Sequence, residues 1–381
     1  MNRKQTLIAL VMLAILAVAG AAVILSDRAA WTDAESRAGR RLVPELRISE
    51  IAGIALADAA DGLHLVKGKD GWVVRERADF PADTDRIGEL LVKLAELKIV
   101  QRESLPESQR ARLQLVEPSD KDTKDAGTRL ELKDGRGTVL ARLLLGKKVL
   151  KSAPESALAR GEPEATGRYV TFNGEAATLL VVSDPLTQAE TQAAQWIRKE
   201  LIRVDRSRSI SATGGDGKPR WTVARNSESV DWRFADSAAK PDLQKATDLA
   251  SALYWINAVD VVADPAKGDT GLGHPVVVKA STFDGLTYTL RIGNKIGDDY
   301  YLRVSVAGEP PRARIPAKGE KAEDKAKKDK EFDEGRKKLL ERLGREKRLE
   351  GWTYLVAGSA LAPLLRERTQ LMPEKKAARK R

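Results

Sequence analysis

The sequence predicts an α+β protein in which an N-terminal transmembrane helix precedes two tandem, related units, each a mainly antiparallel sheet with one packed amphipathic helix. Three observations carry this prediction: an uncharged apolar run near the N-terminus, short alternating strands punctuated by Asp-Gly turns, and one order of motifs that recurs in both halves of the chain. With 381 residues, 42% of them hydrophobic, the chain is long enough for two ordinary domains and apolar enough to fill a core in each.

The run TLIALVMLAILAVAGAAVIL, Thr6 to Leu25, is free of charge, follows Arg3 and Lys4, and precedes Asp27 and Arg28. As a helix it is long enough to cross about 30 Å of hydrocarbon. Basic residues on its N-terminal flank predict a cytoplasmic N-terminus and an exported remainder, hence a single-pass protein of the inner membrane with its bulk periplasmic. A cleavable signal peptide is the alternative, with Ala17–Ala19 as its small-residue site. Retention as an anchor over residues 1–27 is preferred, because apolar residues continue past that site to Leu25. A polar linker follows over 28–45.

The first unit is expected over 46–190. HLVKGKDGWVV places Trp72 just after a Lys-Asp-Gly hairpin signal. The segment DTDRIGELLVKLAELKIV then sets Ile87, Leu90, Leu91, Leu94 and Leu97 at helical spacing behind an Asp83 cap. A Leu-x-x-Pro turn (Leu115 to Pro118), an Asp134-Gly135 hairpin, RLLLG ending at Gly146 and a Tyr169 strand complete it.

The second unit, 191–372, repeats that order. Trp221 follows a Gly-Asp-Gly turn, and a helix carries Ala246, Leu249, Ala250, Leu253 and Ile256 on one face. Leu272 to Pro275, Asp284-Gly285, LRIG ending at Gly293 and the Tyr300 strand come next. In unit one the Tyr strand leads directly into TLLVV. In unit two the corresponding strands are separated by a charged block, which reads as a helical insertion over 311–350, and Trp352 to Val356 is expected to return the chain to the sheet. A smaller insertion, Lys151 to Gly167, occupies a different loop of unit one.

The net charge of +11 suggests nucleic acid until it is located. Arg3 and Lys4, the block 317–350 with 13 basic and 10 acidic residues, and 366–381 with 7 and 2, account for nearly all of it. The body is close to neutral, and the charged block lacks interleaved aromatics, so no nucleic-acid partner is expected. The block's apolar residues Phe332, Leu339, Leu340 and Leu343 form about two turns of a stripe rather than a sustained heptad, which excludes a long coiled coil. It reads as a solvated helical arm, and those four residues are its candidate partner contact. The basic tail over 373–381 is suited to anionic head groups or simply to solubility.

Zero cysteines remove disulfides, thiol nucleophiles and Cys-ligated metal sites. His64 and His274 are the only histidines and lie in a strand and a turn, so no catalytic, metal or cofactor site is expected. TGGDGKPR, Thr213 to Arg220, lacks phosphate-loop spacing and reads as a hairpin. Asp58 with Asp61, and Asp298 with Asp299, fall at turns, where Asp caps the local backbone.

The N-terminal run, the duplicated Leu-x-x-Pro and Asp-Gly motifs, LRIG before a Tyr strand and the late GWTYLV together resemble a bacterial domain-of-unknown-function family, over about residues 5–372. That family's members are commonly encoded beside gliding-motility-type ABC transport systems. The resemblance implies a non-enzymatic extracytoplasmic accessory or scaffold subunit, with an ABC permease and ATPase as partners. In the family the Leu-x-x-Pro turn carries a preceding glycine; Gly271 complies, whereas Gln114 stands in unit one, which predicts a differently shaped first turn. The alternative is an envelope module binding polysaccharide or peptidoglycan without a transporter. It predicts an exposed aromatic face made of Tyr254, Trp255, Tyr300 and Tyr301, whereas the accessory reading predicts that these are buried. An envelope hydrolase with paired carboxylates is a third class, and no pair of acids is singled out for it.

Overall fold

A computed structural model describes residues 39–119, 124–151, 164–316 and 320–374. The apolar run Thr6–Leu25, most of the smaller insertion and the tail from 375 lie outside the described residues. Among the described residues, no helix is long and apolar enough to cross a membrane. The chain divides into two compact units: unit one holds residues up to Glu76 and Ala82–Trp196, and unit two holds Arg77–Pro81 and everything from Ile197.

Unit one opens with β1 (Ile51–Ala57), β2 (Gly62–Gly68) and β3 (Gly71–Val74). The two-residue strand β4 (Phe80–Pro81) groups with unit two, and helix α1 (Thr84–Glu96) follows. Asp83 caps α1 through the backbone N–H groups of Asp85 and Arg86, and the helix buries Ile87, Leu90, Leu91 and Leu94. Leu97 is also buried, as the extended residue that ends the helix. The remaining strands are β5 (Ile99–Ser104), β6 (Thr128–Asp134), β7 (Val139–Leu150), β8 (Ala165–Phe172) and β9 (Thr178–Val182). Within this unit the sheet runs β3-β2-β1-β6-β7-β8-β9-β5, each neighbouring pair antiparallel. β5 thus lies at the edge opposite β3, and α1 lies on the connection between those edges.

Unit two contains β10 (Glu200–Ile202), β11 (Ser207–Thr213), β12 (Pro219–Ala224) and β13 (Arg233–Phe234), then helix α2 (Leu243–Tyr254). β14 (Ile256–Asn257), β15 (Asp260–Val261), β16 (Val276–Thr282), β17 (Leu286–Ile296) and β18 (Asp299–Gly308) precede the charged helix α3 (Ala322–Lys347) and β19 (Tyr354–Ala357). Its main sheet runs β13-β12-β11-β16-β17-β18-β19-β15, with β15, the second strand after α2, at the far edge, while β14 pairs with β10 in a separate two-stranded ladder. α2 buries Ala246, Leu249 and Leu253. Ile256, expected on that helical face, instead sits in β14, because the chain turns extended at Trp255. Phe80 is fully buried in this unit, edge-on to Trp352 and Tyr354, while Arg77 holds Asp260 through two bonds of 2.6 and 2.7 Å.

The matched Leu-x-x-Pro turns have a common physical cause. In unit one the N–H of Lys147 donates to Leu113 O at 2.9 Å; in unit two the N–H of Asn294 donates to Thr270 O at 2.8 Å. The turn therefore lies directly on the strand, and a Cβ at Gly146 or Gly293 would run into those carbonyl oxygens. This is why RLLLG and LRIG end on glycine. The expectation that Gln114 shapes the first turn differently is not met: Gln114 has φ 54° and Gly271 φ 65°, the same left-handed conformation. Leu115, beside it, is anchored in a buried cluster with Leu105, Leu144 and Leu179.

One matched pair does not correspond. Trp72 and Trp221 are both buried, but β3 lies three strands from β6, whereas β12 lies two strands from β16. The counterpart of the Gly-Asp-Gly turn is the β1–β2 turn, where Asp58 Oδ1 accepts the N–H groups of Ala60 and Asp61 at 2.8 Å each. Burial alone would raise the Asp58 carboxyl, but those bonds and the Thr191 hydroxyl at 2.6 Å hold it below its ordinary value.

β8 and β9 are joined by the short turn 173–177, while their counterparts β18 and β19 pair directly over Asp299↔Ala357 to Leu302↔Tyr354, although α3 intervenes in sequence. The charged block does interrupt a strand connection. It is not solvated throughout: Leu343, Glu346 and Leu349 are buried, and α3 packs on β18.

Candidate functional site

Leu343, Glu346 and Leu349 recur every third residue, so one face of the end of α3 and of the turn that follows it enters unit two with a carboxylate at its centre. A buried carboxylate needs donors. Glu346 Oε1 accepts the backbone N–H of Arg203 at 3.1 Å, and Oε2 accepts the Tyr288 hydroxyl at 3.0 Å. Burial pushes the Glu346 carboxyl above its ordinary value, and these bonds with the nearby Arg342 offset that only in part. Burial and the Glu346 charge likewise push the Tyr288 hydroxyl well above its ordinary range.

The network continues outward on two sides. Arg342, one turn before Glu346, pairs with Asp205, which also accepts Arg203 Nε at 3.0 Å. Arg203 then donates to the Tyr254 hydroxyl at 2.6 Å and lies over the rings of Tyr254 and Trp255, 4.7 and 5.3 Å from their centroids. α2 stops at Tyr254 and Trp255 caps it in extended conformation, so two successive aromatics emerge at one helix end, 6.2 Å apart. They are 43% and 47% exposed, which makes them an open shelf pinned by one arginine.

On the other side, α3 forms one wall of a groove of about 890 Å³. Phe332, Gly335, Leu339 and Arg342 line it along the helix; Phe283, Arg206 and the segment 310–315 face them. Arg206 is tied to Asp284 and Glu228, and Arg314 to Glu320 and Asp329. Arg336 Nε donates to Pro311 O at 3.0 Å, which holds the facing segment against the helix. Ile315 is 92% exposed at the groove's edge.

Of the four apolar residues singled out on the charged block, Phe332 and Leu339 are half-buried in this groove. Leu340 is exposed on the neighbouring face beside Arg336 and Lys337, and Leu343 is interior. Of the four aromatics, Tyr254 and Trp255 come together. Tyr300 and Tyr301 are half-buried on β18, and, among the described residues, neither ring contacts that pair. Sequence reasoning missed Arg203, Asp205, Tyr288, Arg342 and Glu346. The available signal was Leu349, which extends the Leu343 stripe and brackets Glu346.

Elsewhere, the Thr213 to Arg220 stretch is the β11–β12 hairpin turn, closed by Gly214 and Lys218. His64 Nδ1 lies 2.8 Å from Glu76 at an exposed strand position. Among the described residues, no group of three or more His, Asp or Glu is arranged to hold a metal.

Residues 72–275 match the family model described as "Domain of unknown function (DUF4340)". That span contains Arg203, Asp205, Tyr254 and Trp255 and ends before α3. No curated protein and no solved structure matches the chain.

Proposed function

The chain belongs to the DUF4340 family, and from that membership and the surface of unit two we propose that it is a non-enzymatic accessory or scaffold subunit of an ABC-type, gliding-motility-like membrane transport complex. Thr6–Leu25 anchors it in the inner membrane with its N-terminus cytoplasmic and its bulk outside. Its partners are the permease and ATPase subunits. The observation that carries the reading is the α3 groove, where half-buried Phe332 and Leu339 on a helix inserted into an otherwise repeated fold, and exposed Ile315 on the facing segment, lie among arginines. Apolar side chains mixed with arginine are the composition of protein-binding surfaces. Removing the protein from cells is expected to reduce the amount of permease–ATPase complex migrating at full size on native gels. An unchanged complex contradicts the reading.

A second reading, an envelope polysaccharide- or peptidoglycan-binding module, is favoured by Tyr254 and Trp255. Their exposure is what it expects and runs against the burial expected of the accessory reading, whereas Tyr300 and Tyr301 are only half-exposed. Aromatic rings offer flat apolar faces with polar edges. Titration with soluble peptidoglycan fragments tests it through tryptophan fluorescence: saturable quenching that is lost in Trp255→Ala supports this reading, and no quenching removes it.

A further inference from the structure

The α3 groove carries an asymmetry of charge that its own ion pairs do not remove. Its lining has six cations, Arg206, Arg314, Arg336, Lys338, Arg342 and Arg345, against two carboxylates, Asp205 and Asp284. Among the described residues, Arg336, Lys338 and Arg345 have no carboxylate within ion-pair distance. Between these cations lie half-buried Phe332 and Leu339, and at the edge stands Ile315, an apolar side chain left almost wholly in water. Gly335 is part of the groove's helical wall. A Cβ there would meet no atom within 4 Å, so a side chain has room, yet the helix keeps a glycine that costs about 0.5–1 kcal/mol relative to alanine.

We infer that this groove docks an acidic, amphipathic polypeptide segment of a partner protein, its apolar residues against Phe332, Leu339 and Ile315 and its carboxylates on Arg336, Lys338 and Arg345. This rests on the accessory reading above and names the chemistry of its partner. The concavity favours an inserted segment over a bilayer, which presents no ridge to fill it. Helix-in-groove recognition works with this kind of geometry. The excess of cations selects carboxylates on the incoming chain and disfavours basic segments, including a second copy of α3.

The test places a photoreactive phenylalanine at Ile315 in the full chain in cells, with exposed Val139 on β7 as the control position. Mass spectrometry identifies what is attached. Attachment to a polypeptide segment of net negative charge with interspersed apolar residues is the expected result. Gly335→Trp, which fills the groove, is expected to lower that attachment about tenfold or more. The paired substitution Lys338→Glu and Arg345→Glu, at exposed groove positions that hold no facing segment, is expected to do the same, so the test survives if the Trp variant does not fold. Attachment to phospholipid, to a second copy of this chain, or at no more than the Val139 level overturns the inference. An acidic apolar segment from a protein outside any transport complex keeps the groove assignment and removes the accessory reading. Recovery of permease and ATPase with Ile315 no more reactive than Val139 does the reverse.

Discussion

Gln114 and Gly271 hold the same left-handed backbone at the same place in the two units, and only one of them suits it. An L side chain in that conformation costs about 1–2 kcal/mol, part of which is returned by its smaller unfolded-state entropy. Gln114→Gly is therefore expected to stabilise unit one by about 0.5–1 kcal/mol in urea unfolding. Gly271→Ala should destabilise unit two by about 2 kcal/mol or more, because the new Cβ meets Asn294 as well as the wrong φ. Glu346 supplies a pH dependence. Its carboxyl lies above the ordinary value in the folded chain, so the folded state holds the proton more tightly than the unfolded one. Its contribution is then most favourable below the ordinary carboxylate value of about 4.3, and stability declines as pH rises from there through the raised pKa. Glu346→Gln is expected to remove that slope while keeping an acceptor for the Arg203 N–H. Glu346→Ala leaves that N–H and the Tyr288 hydroxyl without acceptors and should cost about 2–4 kcal/mol. Urea midpoints measured between pH 4 and 8 (roughly spanning the window set by carboxylate titration) check both.

At the level of elements, α1 and α2 were legible because apolar spacing and an Asp cap act within one turn of helix. Their ends were not: Ile256 continues the helical spacing, yet Trp255 turns extended because the chain must pair β14 with β10. The insertion was legible from the interrupted repeat of Tyr strands. Its burial was not, since Leu343, Glu346 and Leu349 look amphipathic in a way that fits either water or a docking face, and the Arg203 and Tyr288 that receive Glu346 are far away in sequence. The shared tryptophans misled for a related reason: a Trp after an Asp-Gly turn marks a hairpin but does not say which hairpin of the sheet. The two halves of α3 should therefore behave differently. Leu343→Ala is expected to destabilise unit two by about 2 kcal/mol or more. Replacing exposed Lys325, Lys327 and Lys330 by alanine should change stability by less than about 1 kcal/mol in the same unfolding assay, since none of the three joins an ion pair among the described residues.

For the whole molecule, the proposed topology sets two sheet units of like strand order outside the cytoplasm, behind the apolar N-terminal segment, with unit two bearing the proposed docking surface. Orientation is checked by fusing, after Arg381, a reporter enzyme that works only outside the cytoplasm; activity is expected, and its absence reverses the proposed topology. The proposed role depends on association with a transporter. Affinity purification of the full chain from detergent-solubilised membranes, followed by identification of the co-purifying proteins, tests it most directly. An ABC permease and its ATPase are expected to be recovered with it in near-constant proportion; recovery of the chain without either would rule out the accessory role.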